Sequence, residues 1–87
     1  MDYAIKFSDE FKQQYVKLSK KDKQIVTRID KKLDDILENP FIGKPLRYDL
    51  KGKLSVSVPP FRIIYEIEGD TIKIIKFGHR GEVYRKP

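Results

Sequence analysis

The chain has 87 residues, enough for one domain with a thin core, and 39% of them are apolar. Nineteen Lys and Arg against 13 Asp and Glu give a formal net charge of +6, which favours an anionic partner. The lack of Cys excludes a disulfide framework, a thiol nucleophile and a thiolate zinc site, and one His cannot make a histidine-rich metal site.

No apolar run is long enough to cross a bilayer, and the N-terminus has no signal-peptide pattern. We therefore expect a single domain over residues 1–87, located in the cytoplasm without membrane contact. We also expect no cofactor and no bound metal.

The positive charge is concentrated in the second half of the chain. Residues 1–43 carry nine Lys/Arg and eight Asp/Glu, whereas residues 44–87 carry ten and five. Because the second half also has β-strand patterns, this excess favours a polyanion docked on one side of a small sheet. Genome composition or heat adaptation also produces Lys-rich chains without Cys, so the charge alone does not decide the partner.

The N-terminal half predicts a strand followed by two helices. Residues 3–7 alternate as a short strand, and Ser8, which precedes two acidic residues, is a helix N-cap. Apolar residues then follow a helical period, and Ser19 is predicted to open a second helix that ends at Asn39-Pro40. Two helices joined so closely must fold back as an antiparallel hairpin.

The C-terminal half predicts three strands in a meander, after a loop over residues 41–52 with one short extended piece. Residues 53–58 alternate strictly between apolar and polar side chains, as in a strand with one buried face. Residues 61–67 are almost all apolar, and residues 71–77 form the returning strand after a hairpin turn. Pro59-Pro60 removes two ladder donors, so we expect an open connection there. The predicted fold class is α+β, in the order β-α-α-β-β-β(-β), an antiparallel sheet with the N-terminal helical hairpin packed on one face.

Two arginines are predicted to meet at one end of this sheet. If Gly69-Asp70 is a two-residue turn, Arg62 shares a face with residues of the returning strand, and Arg80 follows just past that strand. The register gives three cross-strand pairs on one face: Glu66 with Lys73, Ile64 with Ile75, and Arg62 with Phe77. Two guanidiniums suit a phosphate, although an Arg62 that pairs with an acid or stacks on Phe77 fits the sequence equally well.

His79 and Tyr84 each leave two interpretations open. A histidine is a common general acid or base, but metal-free RNA cleavage needs both, and a lone His79 fills one role unless Glu66 or Glu82 comes into range. The alternative is a loop hydrogen-bonding residue that orients Arg80. Tyr84 either stacks on a base of single-stranded RNA or fastens the tail to the sheet.

Two segments, Phe61–Ile67 and Gly78–Arg85, resemble the RelE/ParE toxin superfamily. The resemblance extends over essentially the whole chain, through a Lys-Leu-Ser helix junction, an Arg-Ile pair in the second helix, a Glu-Asn-Pro helix stop and the Leu50–Gly52 segment. It implies a RelE-like fold related to microbial RNases. It also implies the toxin of a type II toxin–antitoxin system, held inactive by its antitoxin.

The RelE branch of this superfamily enters the ribosomal A site and cuts the bound codon. Resemblance to this branch implies that the chain is a ribosome-dependent endoribonuclease, which cleaves mRNA by metal-free attack of the 2′-OH and so inhibits translation. The alternative is a gyrase poison of the ParE branch, or a weakly active or inactive member that acts mainly through antitoxin binding and autoregulation. The implied partners are a cognate RelB-like antitoxin, the ribosome and mRNA, and operator DNA only as a toxin–antitoxin complex.

Carried over by position, the resemblance implies four catalytic residues. Arg62 stabilises the transition state, and Arg80 contacts that state or protonates the leaving group. Tyr84 stacks on the substrate base, and Lys53 is the first of two cations that the nucleases carry on the middle strand. Ser55 stands where the second cation is found. The expected RNA-binding residues are Lys44, Arg47, Lys51, His79 and Arg85.

Overall fold

The structure, a computed structural model, describes residues 2–79 as a five-stranded sheet with two helices. The helices are α1 (Asp9–Lys21) and α2 (Lys23–Glu38), and the strands are β1 (Ala4–Phe7), β2 (Lys44–Pro45), β3 (Leu54–Val58), β4 (Phe61–Glu68) and β5 (Thr71–His79). The strands lie in the order β1-β5-β4-β3-β2. In the part of the chain that the structure describes, no helix is both long and apolar enough to cross a membrane.

This arrangement confirms the predicted α+β fold and adds one feature to it. The sheet is antiparallel except at one edge, where β1 runs parallel to β5. These two strands are far apart in the chain, so no hairpin turn forces them to run in opposite directions.

The junction between the helices lies three residues later than predicted. α1 continues past Ser19 to Lys21, and Asp22 caps α2 by accepting from two backbone N–H groups of its first turn. A carboxylate satisfies both donors and is attracted to the positive end of the helix. The hydroxyl of Ser19 instead donates to the carbonyl of Val16 within α1.

The helical hairpin covers one face of the sheet and encloses the core. Its two helices are joined by the Tyr15 hydroxyl, which donates to the Asp30 carboxylate over 2.6 Å and thereby raises the pKa of Tyr15 to about 12. The ring of Phe11 meets that of Phe77 edge to face at 5.6 Å, which packs α1 onto β5. The buried core consists of Phe11, Ile29, Ile36, Val56, Val58, Ile63, Tyr65, Ile72, Ile74 and Phe77.

Pro59-Pro60 does not leave an open connection, so that prediction is wrong. Val58 pairs directly with Phe61, and the two prolines form the tight turn between β3 and β4, joined by a cis peptide bond. Residues inside a two-residue turn donate no ladder hydrogen bonds, so the missing N–H groups leave the pairing intact.

The register between β4 and β5 changes part of the way along the strands. The Gly69-Asp70 turn and the Glu66–Lys73 pair are confirmed, but one extra residue, Ile75, bulges out of β5. Beyond the bulge the observed pairs are Ile64–Lys76, Ile63–Phe77, Arg62–Gly78 and Phe61–His79. The predicted Ile64–Ile75 and Arg62–Phe77 pairs are therefore wrong.

Side chains from the N-terminal half hold this bulged part of β5. Ser8, the N-cap of α1, donates its hydroxyl to the carbonyl of Ile75. The Gln14 carboxamide accepts from the Phe77 N–H at 3.0 Å and donates to the Phe77 carbonyl at 2.6 Å. Since β1 ends at Phe7, Gln14 takes the place of a strand partner at this edge.

Tyr65 ties the segment after α2 to the core. Its hydroxyl, fully buried, donates to the carbonyl of Pro40 at 2.7 Å and accepts from the N–H of Gly43 at 2.9 Å. Burial raises the pKa of Tyr65, so the phenol stays protonated and able to donate. A Cβ on Gly43 would lie 2.5 Å from this hydroxyl, which restricts the position to glycine.

We predict that Tyr65→Phe lowers the free energy of unfolding by about 1–3 kcal/mol, because two buried backbone groups lose their partner. Urea denaturation followed by circular dichroism measures the change. Tyr48→Phe is the matched control, since Tyr48 is 89% exposed and its variant should stay within about 0.5 kcal/mol of wild type. Equal stability of Tyr65→Phe and wild type would contradict the anchoring role.

Candidate functional site

The sheet face opposite the helices carries most of the charged side chains of the strands. Side chains alternate along β4, so Ile63 and Tyr65 enter the core while Arg62 and Glu66 lie on the other face. We call this other face the basic face. Its residues are Lys6, Lys44, Lys53, Ser55, Ser57, Arg62, Ile64, Glu66, Glu68, Lys73 and Lys76. Among these described residues six are cations and two are acids, which favours binding of a polyanion.

Strand pairing arranges these side chains in three rows across the sheet. The rows are Ser57–Arg62–Gly78, then Lys44–Ser55–Ile64–Lys76, then Lys53–Glu66–Lys73–Lys6. Successive rows are two residues apart along a strand, about 7 Å. Each row thus contains at least one cation, and in the middle row Lys44 and Lys76 lie on either side of Ser55 and Ile64, which are buried.

Arg62 is held in place by Ser55. The Nε of Arg62 donates to the Ser55 hydroxyl over 2.7 Å, and Ser55 is only 1% exposed. This hydrogen bond fixes the orientation of the guanidinium. A guanidinium has five N–H donors, so four remain on its terminal nitrogens. The same bond brings the guanidinium from the first row over the middle row.

Lys53 lies on the basic face and has a carboxylate neighbour. Its ammonium is 3.7 Å from the Glu66 carboxylate, and both side chains are about one-third exposed. Glu66 thus offsets part of the charge that Lys53 presents. In the same row, Lys73 is bonded to Glu68 at 2.7 Å, and that hydrogen bond lowers the pKa of Glu68 and raises that of Lys73.

Three of the predicted RNA-binding residues, those that precede β3 in the chain, lie on or beside the basic face. Lys44 pairs with Ser55 and so belongs to the middle row. Arg47 and Lys51 are exposed in the loop over residues 46–53, which joins β2 to β3 at the end of the sheet where Lys53 lies. The structure therefore brings Lys44, Lys53 and Arg62 onto one surface and places the two loop cations at its border.

His79 does not join Arg62. It pairs with Phe61 on the helix-side face, and its ring centroid is 4.7 Å from that of Phe61. Glu66 lies five residues after Phe61 along β4 and on the opposite face of the sheet. A His79–Glu66 acid–base pair is therefore excluded. The bulge at Ile75 shifts the register and so places His79 opposite Phe61. Arg80, Glu82, Tyr84 and Arg85 lie outside the described residues.

Sequence reasoning missed Lys76 and the role of Ser55. The bulge moves Lys76 into the middle row. The feature of the sequence that indicates the bulge is the pair Ile74-Ile75, which breaks the alternation of apolar and polar residues in β5. Ser55 was noted only as the loss of a cation. Its signal was the alternation of β3, which places Ser55 and Ser57 on the face that carries Arg62.

A concave surface lies on the helix side. It is an apolar cleft of about 440 Å³ lined by Phe7, Phe11, Lys12, Tyr15, Val16, Asp30 and Leu33. Its two charged residues, Lys12 and Asp30, make no cluster suited to a phosphate. Among residues 2–79, no group of three or more His, Cys, Asp or Glu is arranged to hold a metal ion. The basic face is therefore the candidate site.

Comparison with known proteins gives consistent results. The family described as ParE toxin of type II toxin-antitoxin system, parDE, matches residues 5–84. Toxin RelG of Mycobacterium tuberculosis is 28% identical over 89 residues, covering 99% of this chain and 100% of RelG.

Solved structures agree. The RelBE2 toxin–antitoxin complex of Mycobacterium tuberculosis contains a chain with 26% identity and a TM-score of 0.78, covering 92% of this chain and 100% of that one. The YoeB dimer of Staphylococcus aureus has 27% identity and a TM-score of 0.73, covering 87% of this chain and 94% of that one.

We predict that Glu66→Gln strengthens polyanion binding, because Lys53 loses its carboxylate neighbour and becomes available for one more phosphate. Titration with polyuridylate at several salt concentrations should show tighter binding and a log–log salt slope steeper by about 0.7. Asp34→Asn makes the same change in net charge on the exposed surface of α2 and should leave the slope unchanged. Equal slopes for Glu66→Gln and Asp34→Asn would contradict this role of Lys53.

Proposed function

The chain belongs to the ParE toxin family of type II toxin–antitoxin systems, and we propose that it exerts its toxicity by cleaving mRNA on the ribosome. The observation that carries the proposal is Arg62, an oriented guanidinium in the middle of the basic face. The similarity to toxin RelG and to the RelBE2 toxin supports placing it with the RNA-cleaving branch that its sequence resembles.

The proposed reaction is attack of a ribose 2′-OH on the adjacent phosphorus. The 2′-O–P bond forms, the P–O5′ bond breaks, one proton leaves the 2′-OH and another is delivered to the 5′-oxygen. The phosphorus passes through a five-coordinate state with extra negative charge on its non-bridging oxygens. The terminal N–H groups of Arg62 are suited to stabilise that charge, since guanidinium donors match phosphate oxygens in pairs.

The other roles follow from position on the basic face. Lys53 lies one row, about 7 Å, from the middle row where the Arg62 guanidinium sits, a distance suited to the next phosphate. Lys44 and Lys76 are the two ends of the middle row and are proposed to bind the RNA backbone. By resemblance, Arg80 contacts the transition state or protonates the leaving group, and Tyr84 stacks on the substrate base.

Among residues 2–79 the basic face offers no strong general base, because its acids there are Glu66, beside Lys53, and Glu68, bonded to Lys73. Electrostatic stabilisation of the phosphate is then the main contribution of the protein. The rest of the rate acceleration is proposed to come from the ribosome, which holds the message in a geometry where the 2′-OH is in line with the leaving oxygen. Free RNA should accordingly be cut much more slowly than ribosome-bound RNA.

A toxin of this family has an antitoxin partner, and the similar RelBE2 structure is itself a toxin–antitoxin complex. We propose that the antitoxin of this chain covers the basic face with a segment that carries acidic residues. Such a segment complements the charge and excludes RNA at the same time. Operator binding is proposed only for the toxin–antitoxin complex.

A second candidate function is poisoning of DNA gyrase without RNA cleavage. Two observations favour it. The matching family is named for ParE, and β3 presents a face of Ser55 and Ser57, with Ser55 standing where the nucleases carry a second cation. Inducing the toxin in cells and mapping 5′ ends separates the two functions. Codon-phased ends on translated messages support the nuclease, whereas DNA breaks with intact messages support the gyrase poison.

We predict that Arg62→Ala slows cleavage of ribosome-bound mRNA by about 10²–10³, because the transition state loses a preorganised donor. The measurement is the single-turnover rate on ribosomes stalled with a defined codon in the A site. Arg28→Ala is the matched control, since it removes an exposed arginine from α2 and should keep the wild-type rate. A folded Arg62→Ala variant with the wild-type rate, or naked RNA cut as fast as ribosome-bound RNA, would overturn the proposal.

A further inference from the structure

Tyr48 is exposed to an unusual extent for an aromatic residue of a small domain. Its side chain is 89% accessible to solvent, the highest value among the exposed large hydrophobic residues of the described chain. Its backbone has φ +59°, in the left-handed region that bulky L-residues seldom occupy. Folding therefore places a large apolar ring in water on a backbone that favours Gly or Asn. Strain of this kind is characteristic of ligand-binding positions.

The loop that carries Tyr48 is well ordered by hydrogen bonds. The N–H of Leu46 bonds to the carbonyl of Lys53 at 3.0 Å and closes the loop, so residues 46–53 begin and end at the sheet. Inside it, the N–H of Lys51 bonds to the carbonyl of Tyr48 and the N–H of Lys53 to that of Leu50, both at 3.0 Å. A ring presented by such a loop loses little freedom when a ligand binds it.

The surroundings of Tyr48 are basic. Over residues 44–53 the chain carries one acid and four cations, which are Lys44, Arg47, Lys51 and Lys53. Arg47 directly precedes Tyr48, and Leu46, two residues before it, pairs with Lys53 in the third row of the basic face. The loop that carries Tyr48 therefore lies just beyond the third row of the basic face, at the end of the sheet where Lys53 stands.

We infer that Tyr48 stacks on a nucleobase of single-stranded RNA, one or two nucleotides from the phosphate held by Arg62. This inference rests on the proposed function and adds a base-binding position to it. Cations that track a backbone, together with an exposed ring at the same border, are the combination by which proteins hold single-stranded nucleic acid. Stacking uses the face of the base, so this position should add affinity with little sequence preference.

The test compares variants at this position for binding of a short 2′-O-methylated oligoadenylate, which keeps its bases but lacks the attacking hydroxyl. Tyr48→Asn should lower the affinity about tenfold, whereas Tyr48→Phe, which keeps the ring, should bind like wild type. An abasic oligonucleotide of the same length should bind wild type and Tyr48→Asn equally. Asn tolerates the left-handed conformation, so the thermal stability of Tyr48→Asn should equal or exceed that of wild type.

Three results would overturn the inference. The first is equal affinity of wild type and Tyr48→Asn for the methylated RNA, and the second is an equal loss on the abasic oligonucleotide. The third is a Tyr48→Asn variant that keeps RNA affinity but loses affinity for the antitoxin, which would make Tyr48 a protein contact. Cleavage assays separate failure of this inference from failure of the proposed function. If the wild-type protein still cuts ribosome-bound mRNA, the proposed nuclease function is retained and only the role of Tyr48 is wrong. If it neither binds nor cuts RNA, both the function and the inference are wrong.

Discussion

The pairing register of β4 with its two neighbours is the constraint on which the candidate site depends. β4 is the central strand, and a slip of one residue would move Ile63 and Tyr65 to the basic face and Arg62 into the core. Burial of the apolar set against the helices therefore fixes the position of Arg62. The core and the site are two consequences of one alternation along a single strand.

The bulge at Ile75 adds a second adjustment to this register. It places Gly78, which has no side chain, opposite Arg62, and it moves Lys76 into the middle row. Ser8 and Gln14 from the N-terminal half hold the bulged strand by its backbone. The composition of the basic face thus depends on hydrogen bonds that side chains of the N-terminal half make to Ile75 and Phe77, the two residues on either side of Lys76.

The sequence was sufficient for the fold and for part of the site. Periodicity and capping predicted both helices and the three-stranded meander, because burial of apolar side chains dominates those elements. The sequence did not reveal the parallel β1, the bulge or the place of His79, since each depends on partners distant in the chain. Ser55 was interpreted by analogy as a missing cation, and only the packed sheet shows that its hydroxyl meets Arg62. Residues assigned by resemblance beyond position 79 remain predictions.

The proposed role of Ser55 is to hold the Arg62 guanidinium at the reacting phosphate through their 2.7 Å hydrogen bond, and a double-mutant cycle on ribosome-bound mRNA measures that coupling. Ser55→Ala should slow single-turnover cleavage by about tenfold in wild type, as expected for loss of a hydrogen bond to a charged group. In the Arg62→Ala background the same substitution should have no further effect, because the group that Ser55 positions is gone. Equal slowing in both backgrounds would show that Ser55 acts independently of Arg62, and the proposed coupling of the two residues would be wrong.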